Sequence, residues 1–345
     1  MKKIRLAVVG ATGVVGLVAR KVLEEKKLPI DEYVFFASKR SAGEKINFMG
    51  KEYIIRELKE DSFDEGFDYA IFSAGGETSK KFSPIAAEKG CVVVDNSSAF
   101  RMDEKVPLIV PEVNPEEIKK NNGIIANPNC STIQAVVALK PLEDKYKIKR
   151  IVYSTYQAVS GAGSKGILDL ENGIKNYKNE EFDEKGNVNY ELQKFPYPIF
   201  NDCLPQIDVA LENGYTKEEE KMINETRKIL NRPELAITAT TVRVPVFNSH
   251  SESINVEFEN EFELEELVSV LKKSPGIIVK DNLKENIFPL AIDATGTDEV
   301  YVGRIRRDFS VKSGINMWVV ADNTRKGAAS NAIQIVEKMI ENAVQ

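Results

Sequence analysis

The sequence predicts an α/β protein of two domains. The first is built on a parallel sheet with helices on both faces, and the second is α+β with a mixed sheet. Three observations predict this. Strand-like and helix-like segments alternate through the first third, the signature of a parallel sheet. Longer strand-like runs then follow one another in the second half. The length of 345 residues suffices for two domains with a sizeable core.

Residues 4–9 read as a buried strand and 14–25 as a helix. Strands follow at 33–37, 69–72 and 91–95, with helical composition at 79–89 between the last two. Residues 108–110 and 124–126 are short apolar runs, and a helix-like stretch covers 132–140. Residues 150–157 form a strand, 161–166 a glycine-rich turn, and a helix follows to 178. Residues 179–205 are polar, aromatic and proline-containing, as expected of an insertion or subunit arm. A charged amphipathic helix spans 216–230. Strand-like runs at 236–246, 251–258, 300–310 and 315–321, with a helix at 262–273, predict a mixed or antiparallel sheet open on one side. The last helix, 326–343, carries Ala332, Val336, Met339 and Ala343 on one apolar face. That face is expected to dock on the N-terminal sheet. The boundaries are therefore 1–127 with 326–345 for the first domain, and 128–325 for the second.

Composition excludes several classes. A net charge of −6 with dispersed basic residues gives no footprint for nucleic acid. Cys91, Cys130 and Cys203 are too few and too scattered for a disulfide framework or a metal site. They fit a reducing, cytoplasmic setting. Met1 to Ala19 superficially resembles a signal peptide, but Gly10, Gly13 and Gly16 break the run. No run approaches the roughly 20 apolar residues of a membrane span.

Gly10-Ala11-Thr12-Gly13-Val14-Val15-Gly16 lies at the first strand–helix junction. Glycines there permit a tight turn and close approach of a pyrophosphate to the helix start. The domain is thus Rossmann-type and dinucleotide-binding, although the spacing is G-x-x-G-x-x-G. The second strand ends in Ala37-Ser38-Lys39-Arg40-Ser41. The acidic residue that would bond an NAD ribose is absent, and hydroxyls with a guanidinium suit a 2′-phosphate. NADP is expected.

Asn127-Pro128-Asn129-Cys130-Ser131-Thr132 places a thiol where a helix begins. Free backbone N–H groups and the helix dipole favour the thiolate there. The only histidine, His250, follows Asn248-Ser249 at a break between strands. Gln157 ends a strand just before Ala158-Val159-Ser160-Gly161. A thiol, an imidazole and a dinucleotide turn point to aldehyde oxidation through a thioester. Arg243, among apolar strand residues, needs an anionic partner. A substrate carboxylate and a structural salt bridge both satisfy that need. Arg101 and Lys221 are further candidate anion binders. The stretch Gly161 to Gly166 fails the P-loop pattern.

These motifs, in this order and nearly end to end, resemble the aspartate-semialdehyde dehydrogenase family. Asp95-Asn96-Ser97-Ser98-Ala99-Phe100-Arg101 and the run Arg243 to His250 also carry the resemblance. It implies reversible, NADP-dependent conversion of aspartate 4-semialdehyde and phosphate to aspartyl 4-phosphate. It further implies a catalytic and dimerisation domain, a homodimer in preference to a tetramer, and supply of the lysine/diaminopimelate, threonine and methionine branches. By the resemblance, Cys130 is the acyl-carrying nucleophile, His250 the acid/base and Gln157 an orienting group. Arg243 binds the substrate carboxylate and Glu218 its amino group. Arg101, Asn129 and Lys221 line a phosphate site. Gly10, Thr12, Gly13, Val14, Val15, Gly16, Ser38, Arg40, Ser41, Ser160, Gly161 and Asn323 contact NADP. N-acetyl-glutamyl-phosphate reductase shares the thioester logic and is the nearest rival. A non-catalytic dinucleotide-binding regulator is the second.

Overall fold

The structure, a computed structural model, describes residues 3–184, 186 and 188–344. Met1, Lys2, Lys185, Asn187 and Gln345 lie outside the described residues. They include the start of the N-terminal run, two positions of the 179–205 stretch and the last residue of the first domain. The chain forms two compact units. The first comprises Met1–Asn129, Lys228–Leu230 and Gly327–Gln345, and the second Cys130–Arg227 and Asn231–Lys326.

The first unit contains β1 (Arg5–Val9), α1 (Val14–Lys26), β2 (Glu32–Ala37), β3 (Lys45–Phe48), β4 (Lys51–Ile54) and β5 (Arg56–Glu57). These precede β6 (Tyr69–Phe72), α2 (Gly76–Glu88), β7 (Val92–Asp95) and β8 (Ile124–Ala126). The main sheet runs β5-β2-β1-β6-β7-β8, and every pair in it is parallel. The strand order reverses between β1 and β6, which makes the carboxyl end of β1 a switch point. Leu6, Ala7, Val8 and Val9 are wholly buried, as strands covered on both faces must be.

The terminal helix Ser330–Val344 buries Ala332, Ile333, Val336 and Ile340 in the same core as Leu6, Val8, Phe35 and Ile71. Its docking on the sheet is as expected. Residues 108–110 are not a strand; a single bridge joins Leu108 to Ala126. The β3–β4 hairpin was not foreseen. Phe48 holds it down, its ring edge-on to Tyr33 at 4.8 Å and to Phe35 at 5.0 Å.

The second unit contains α3 (Cys130–Tyr146), β9 (Ile148–Gln157), α4 (Ser164–Lys178), α5 (Lys217–Ile229), β10 (Ala236–Arg243) and β11 (His250–Phe258). α6 (Leu264–Lys273), β12 (Ile277–Val279), β13 (Val300–Arg307) and β14 (Gly314–Ala321) follow. The sheet order is β10-β9-β11-β14-β13-β12. β9 and β10 are parallel, as are β12 and β13, while β11 is antiparallel to β9 and β14. The sheet is therefore mixed. α3 packs on it, which explains why this helix is apolar almost all round.

The 179–205 stretch is anchored within this unit. Buried Asp169 of α4 accepts backbone hydrogen bonds from Gln193, Lys194 and Phe195 at 2.7–3.0 Å. Ile199 and Leu204 pack with Leu170 and Val159. Leu204 and Arg243 exchange two backbone bonds of 2.9 Å, so the stretch ends by pairing with the last residue of β10.

Glu252 lies two residues beyond His250 on the buried face of β11, opposite Thr155 and Val319. It is fully buried, and neither carboxyl oxygen has a hydrogen-bond partner among the described residues. Burial alone pushes its ionisation well above the usual carboxylate range, so it sits as a neutral acid. In the unfolded chain it ionises freely above about pH 4.5. The stability of the parent is therefore fully present below that pH and falls as pH rises toward the folded-state pKa. Glu252→Gln removes this titration. The Tm difference between variant and parent is expected to move in favour of the variant from pH 4.5 to pH 8. A difference that stays constant over that range in calorimetry would contradict the neutral-acid assignment.

Candidate active site

Sheet topology in the second unit brings the chemistry to one edge. β9 and β10 run parallel and end in register at Gln157 and Arg243. Antiparallel β11 begins at the same edge with His250. α3 begins at Cys130, so its first-turn N–H groups are available to the thiol.

Cys130 Sγ lies 3.2 Å from His250 Nε2. The cysteine is partly exposed and the histidine fully buried. His250 Nδ1 accepts a 3.0 Å hydrogen bond from the Ala158 backbone N–H, and its carbonyl accepts one from Gln134 Nε2 at 3.3 Å. Burial chiefly, and then the Arg243 charge, push its ionisation down to about 3, against the opposing pull of Glu218.

Arg243 is also buried. Its Nη1 donates to the Ala158 carbonyl at 2.7 Å, and its Nε has no partner among the described residues. It makes no ion pair with a carboxylate among those residues. Burial lowers its pKa, while Glu218 and Cys130 favour its charge. The salt-bridge alternative is therefore not realised. The Phe195 ring, which sequence reasoning missed, lies 5.9 Å from the guanidinium carbon.

A polar chain runs alongside. Thr155 Oγ1 donates to Gln157 Oε1 at 3.0 Å, and Gln157 Nε2 donates to Glu218 Oε1 at 3.2 Å. Lys221 Nζ reaches Glu218 Oε2 at 2.9 Å and Asp208 Oδ2 at 2.8 Å. Of the three adjacent glutamates, Glu218 is the one turned toward Gln157. Glu219 instead accepts from the backbones of Thr216 and Thr241 at 2.7 and 3.0 Å, and Glu220 accepts from Asn213 and Asn224.

Ser160 and Asn323 hydrogen-bond each other through their side chains at 3.0 Å. Asn323 Oδ1 also accepts from the Ser249 backbone N–H at 2.9 Å. Ser249 has φ +73°, a left-handed conformation that a serine adopts only where its surroundings enforce it. This bracket sets the entry into His250. Gly161 packs so tightly that a Cβ there would stand 3.0 Å from Arg243 Nη1 and 3.1 Å from His250 Cε1. Gly161→Ala is expected to lower kcat/KM by about tenfold or more, since sub-ångström displacement of such groups is costly. Its Tm should fall by only a few degrees. Unchanged kinetics would show that the two side chains yield freely.

In the first unit, Gly10 and Gly16 are required by packing. A Cβ on Gly10 would stand 2.4 Å from the Ser73 carbonyl oxygen, and one on Gly16 would stand 2.1 Å from that of Gly10. Gly13, at the start of α1, is exposed and has only one atom within 4 Å of such a Cβ. Thr12, Val14 and Val15 are partly buried beside it. That open helix start fits a dinucleotide's phosphates. Ser38 and Arg40 are exposed on a turn closed by Ser41 N–H to the Ser38 carbonyl at 3.0 Å, at the carboxyl end of β2. Arg101 Nε and Nη2 donate to the carbonyls of Asn127 and Asn96 at 2.9 and 2.8 Å. Asn129 is buried and directly precedes Cys130.

A parallel sheet with an open glycine turn in one unit, and a thiol–imidazole pair in the other, define an NAD(P)-dependent oxidoreductase. Residues 5–121 match the family described as semialdehyde dehydrogenase, NAD binding domain. Residues 139–326 match semialdehyde dehydrogenase, dimerisation domain. The chain is 55% identical to the aspartate-semialdehyde dehydrogenase of Aquifex aeolicus over 342 residues, 99% of each chain. It is similar to the crystal structure of Vibrio cholerae aspartate semialdehyde dehydrogenase II complexed with ASA, at TM-score 0.93, 46% identity and 99% coverage of both chains. It is also similar to the Candida albicans enzyme solved with NADP, at TM-score 0.76, 26% identity and 98% coverage of both. The chain belongs to the aspartate-semialdehyde dehydrogenase family.

Proposed function

We propose that this chain interconverts aspartate 4-semialdehyde plus phosphate with aspartyl 4-phosphate, using NADP and a thioester on Cys130. In the cell the reaction runs toward the aldehyde and feeds lysine/diaminopimelate, threonine and methionine synthesis. The observation that carries this reading is the 3.2 Å approach of Cys130 Sγ to His250 Nε2 beside a buried arginine with no carboxylate partner.

In the oxidative direction Cys130 sulfur bonds to the aldehyde carbon, and the α3 N–H groups receive the oxyanion. Arg243 holds the substrate carboxylate and Glu218 its ammonium, with Gln157 orienting the acyl group between them. Arg101, Asn129 and Lys221 bind the phosphate that displaces the thiolate. When bound, the nicotinamide supplies the acceptor or donor of hydride. Gly10 to Gly16, Ser38, Arg40, Ser41, Ser160, Gly161 and Asn323 are the residues assigned to hold the dinucleotide. The exposed guanidinium of Arg40 supports NADP over NAD, as does the similarity to a relative solved with NADP.

Glu218 favours this substrate over an N-acetylated one, because an acylated amine has no charge for a buried carboxylate to meet. We further propose a homodimer, in line with the dimerisation-domain match and the partly exposed sheet face bearing Tyr156 and Trp318. A cytoplasmic setting accords with Cys91, Cys130 and Cys203 standing as thiols.

The test is an NADPH-forming assay with aspartate 4-semialdehyde and with N-acetylglutamate 5-semialdehyde, each with and without phosphate. Phosphate-dependent turnover of the first aldehyde is expected. Preference for the second, or turnover indifferent to phosphate, would overturn the assignment.

A further inference from the structure

We propose that Lys228, in the last turn of α5, is a positioning residue for Arg101. Its ammonium pins the irregular loop that carries this arginine, and so sets the affinity for phosphate. This role for Lys228 rests on the phosphate role proposed above for Arg101.

Residues 96–107, which follow β7, belong to no helix or strand. Such a segment lacks the ladder or helix bonds that hold a side chain still, so its fixation must come from other contacts. Its local bonds fold it on itself. Ser97 N–H and Oγ donate to the Asp95 carboxylate at 3.0 and 2.7 Å. Asp103 N–H donates to the Phe100 carbonyl at 3.1 Å, and Val106 N–H to that of Asp103 at 3.2 Å. Bonds between near neighbours shape a loop without tying it to the rest of the fold.

Lys228 supplies a tie from far along the chain. Its Nζ donates to the carbonyls of Arg101, Asp103 and Val106 at 2.8, 2.7 and 2.8 Å. A lysine ammonium has three donors and no acceptor, and here it meets three carbonyls of one short segment. Carbonyls so close in sequence converge on a single point in few backbone conformations, and the cation makes that conformation favourable. Arg101 and Val106 are buried, so water competes weakly for their carbonyls. A lysine in the last turn of a helix ordinarily meets that helix's own terminal carbonyls. Lys228 is directed at the Arg101 loop instead, with which it shares the first unit.

Arg101 is thus held at both ends. Its carbonyl rests on Lys228, while its Nε and Nη2 reach the carbonyls of Asn127 and Asn96. Those carbonyls are themselves fixed. Asn127 Nδ2 donates to Asn96 Oδ1 at 2.7 Å, and Asn331 Nδ2 of the terminal helix donates to Asn127 Oδ1 at 2.7 Å. The asparagines aim the guanidinium, and Lys228 sets the backbone from which it extends. Without the lysine, phosphate binding must also order the loop, and that entropy is subtracted from its affinity.

The test reads phosphate affinity with and without turnover. In the semialdehyde assay, Lys228→Met is expected to raise the KM for phosphate by about tenfold or more, since small displacements of a binding group are costly. Its KM for the aldehyde and for NADP should stay within about twofold of the parent's, as befits a change confined to one ligand's site. Lys228→Arg keeps the charge, but its planar fork suits two carbonyls better than three. It should fall between the parent and Lys228→Met, and it carries the test if the latter does not fold. Action through Arg101 has its own signature. In an Arg101→Met background, Lys228→Met should weaken phosphate no further. Equal losses in both backgrounds, or KM values for all three ligands rising together, would make the lysine a structural prop and overturn the proposal.

Phosphorus NMR supplies the arm that needs no substrate. Protein with NADP bound should broaden the line of inorganic phosphate, and both Lys228→Met and Arg101→Met should weaken that effect. If this pattern holds while the semialdehyde is not turned over, the proposed substrate fails and the positioning role stands. If turnover depends on phosphate yet Lys228→Met binds it as the parent does, the positioning role fails and the proposed function stands. Phosphate affinity indifferent to Arg101→Met would remove the phosphate role of Arg101, and that of Lys228 with it.

Discussion

Cys130→Ala is expected to lower kcat for the semialdehyde by at least about 10^4-fold, as loss of a covalent nucleophile does. NADP binding and Tm should stay near those of the parent. The sulfur is partly exposed at a helix start, so its removal opens no core cavity. Cys130→Ser should be nearly as inactive, because a hydroxyl remains protonated where a thiol does not. Alkylation separates the three thiols. Burial raises the Cys91 thiol to about 12, which leaves it inert at neutral pH. Cys203 is exposed, and Cys203→Ser removes it from the count. In that background, one equivalent of iodoacetamide should abolish activity, and bound substrate should protect. A variant lacking Cys130 that keeps more than a few per cent of parental kcat would end the thioester reading.

Much of this site was legible from residues alone because the groups concerned are chemically rare. A lone histidine, a thiol after Asn-Pro-Asn and an arginine in an apolar strand each need an explanation wherever they lie. The parallel order of the first sheet followed from alternating segments, since both faces of such strands must be apolar. What was not legible depends on distance in space. The Ala158 amide hydrogen-bonds the His250 ring, yet a backbone N–H leaves no mark in the sequence. Burial, which moves His250 far from its ordinary pKa, is a property of the packed unit. Phe195 reaches Arg243 only because three backbone bonds to Asp169 hold its loop in place. The β3–β4 hairpin escaped notice because its charged alternation reads as surface, while Phe48 and Tyr53 anchor it on Phe35. Nothing in the sequence marks Glu252 as buried; it lies opposite Thr155 on the inner face of β11.

Arg243→Lys is expected to reduce kcat/KM for the semialdehyde by about 100-fold or more. Losing one partner of a buried, hydrogen-bonded charge pair costs roughly 2–5 kcal/mol. Lysine keeps the charge but loses the planar fork that meets a carboxylate with two parallel bonds. The effect should fall on KM if the carboxylate is gripped equally in ground and transition states. It should fall on kcat if the grip tightens as the carbonyl carbon becomes tetrahedral. Stability separates this role from a structural one. A guanidinium that completes a salt bridge would take that bridge's energy with it when replaced. Arg243 has no such bridge among the described residues, and its Nε is buried without a partner. Removing its charge therefore relieves a desolvation cost in the free enzyme. Arg243→Met should have a Tm no lower than the parent's in the absence of substrate, while turnover disappears. Substrate should raise the parent's Tm and leave that of Arg243→Met unmoved, because only a species that binds the folded state stabilises it. A large drop in Tm for Arg243→Met, with substrate-induced stabilisation intact, would assign the arginine to the fold and leave the substrate's carboxylate without a partner.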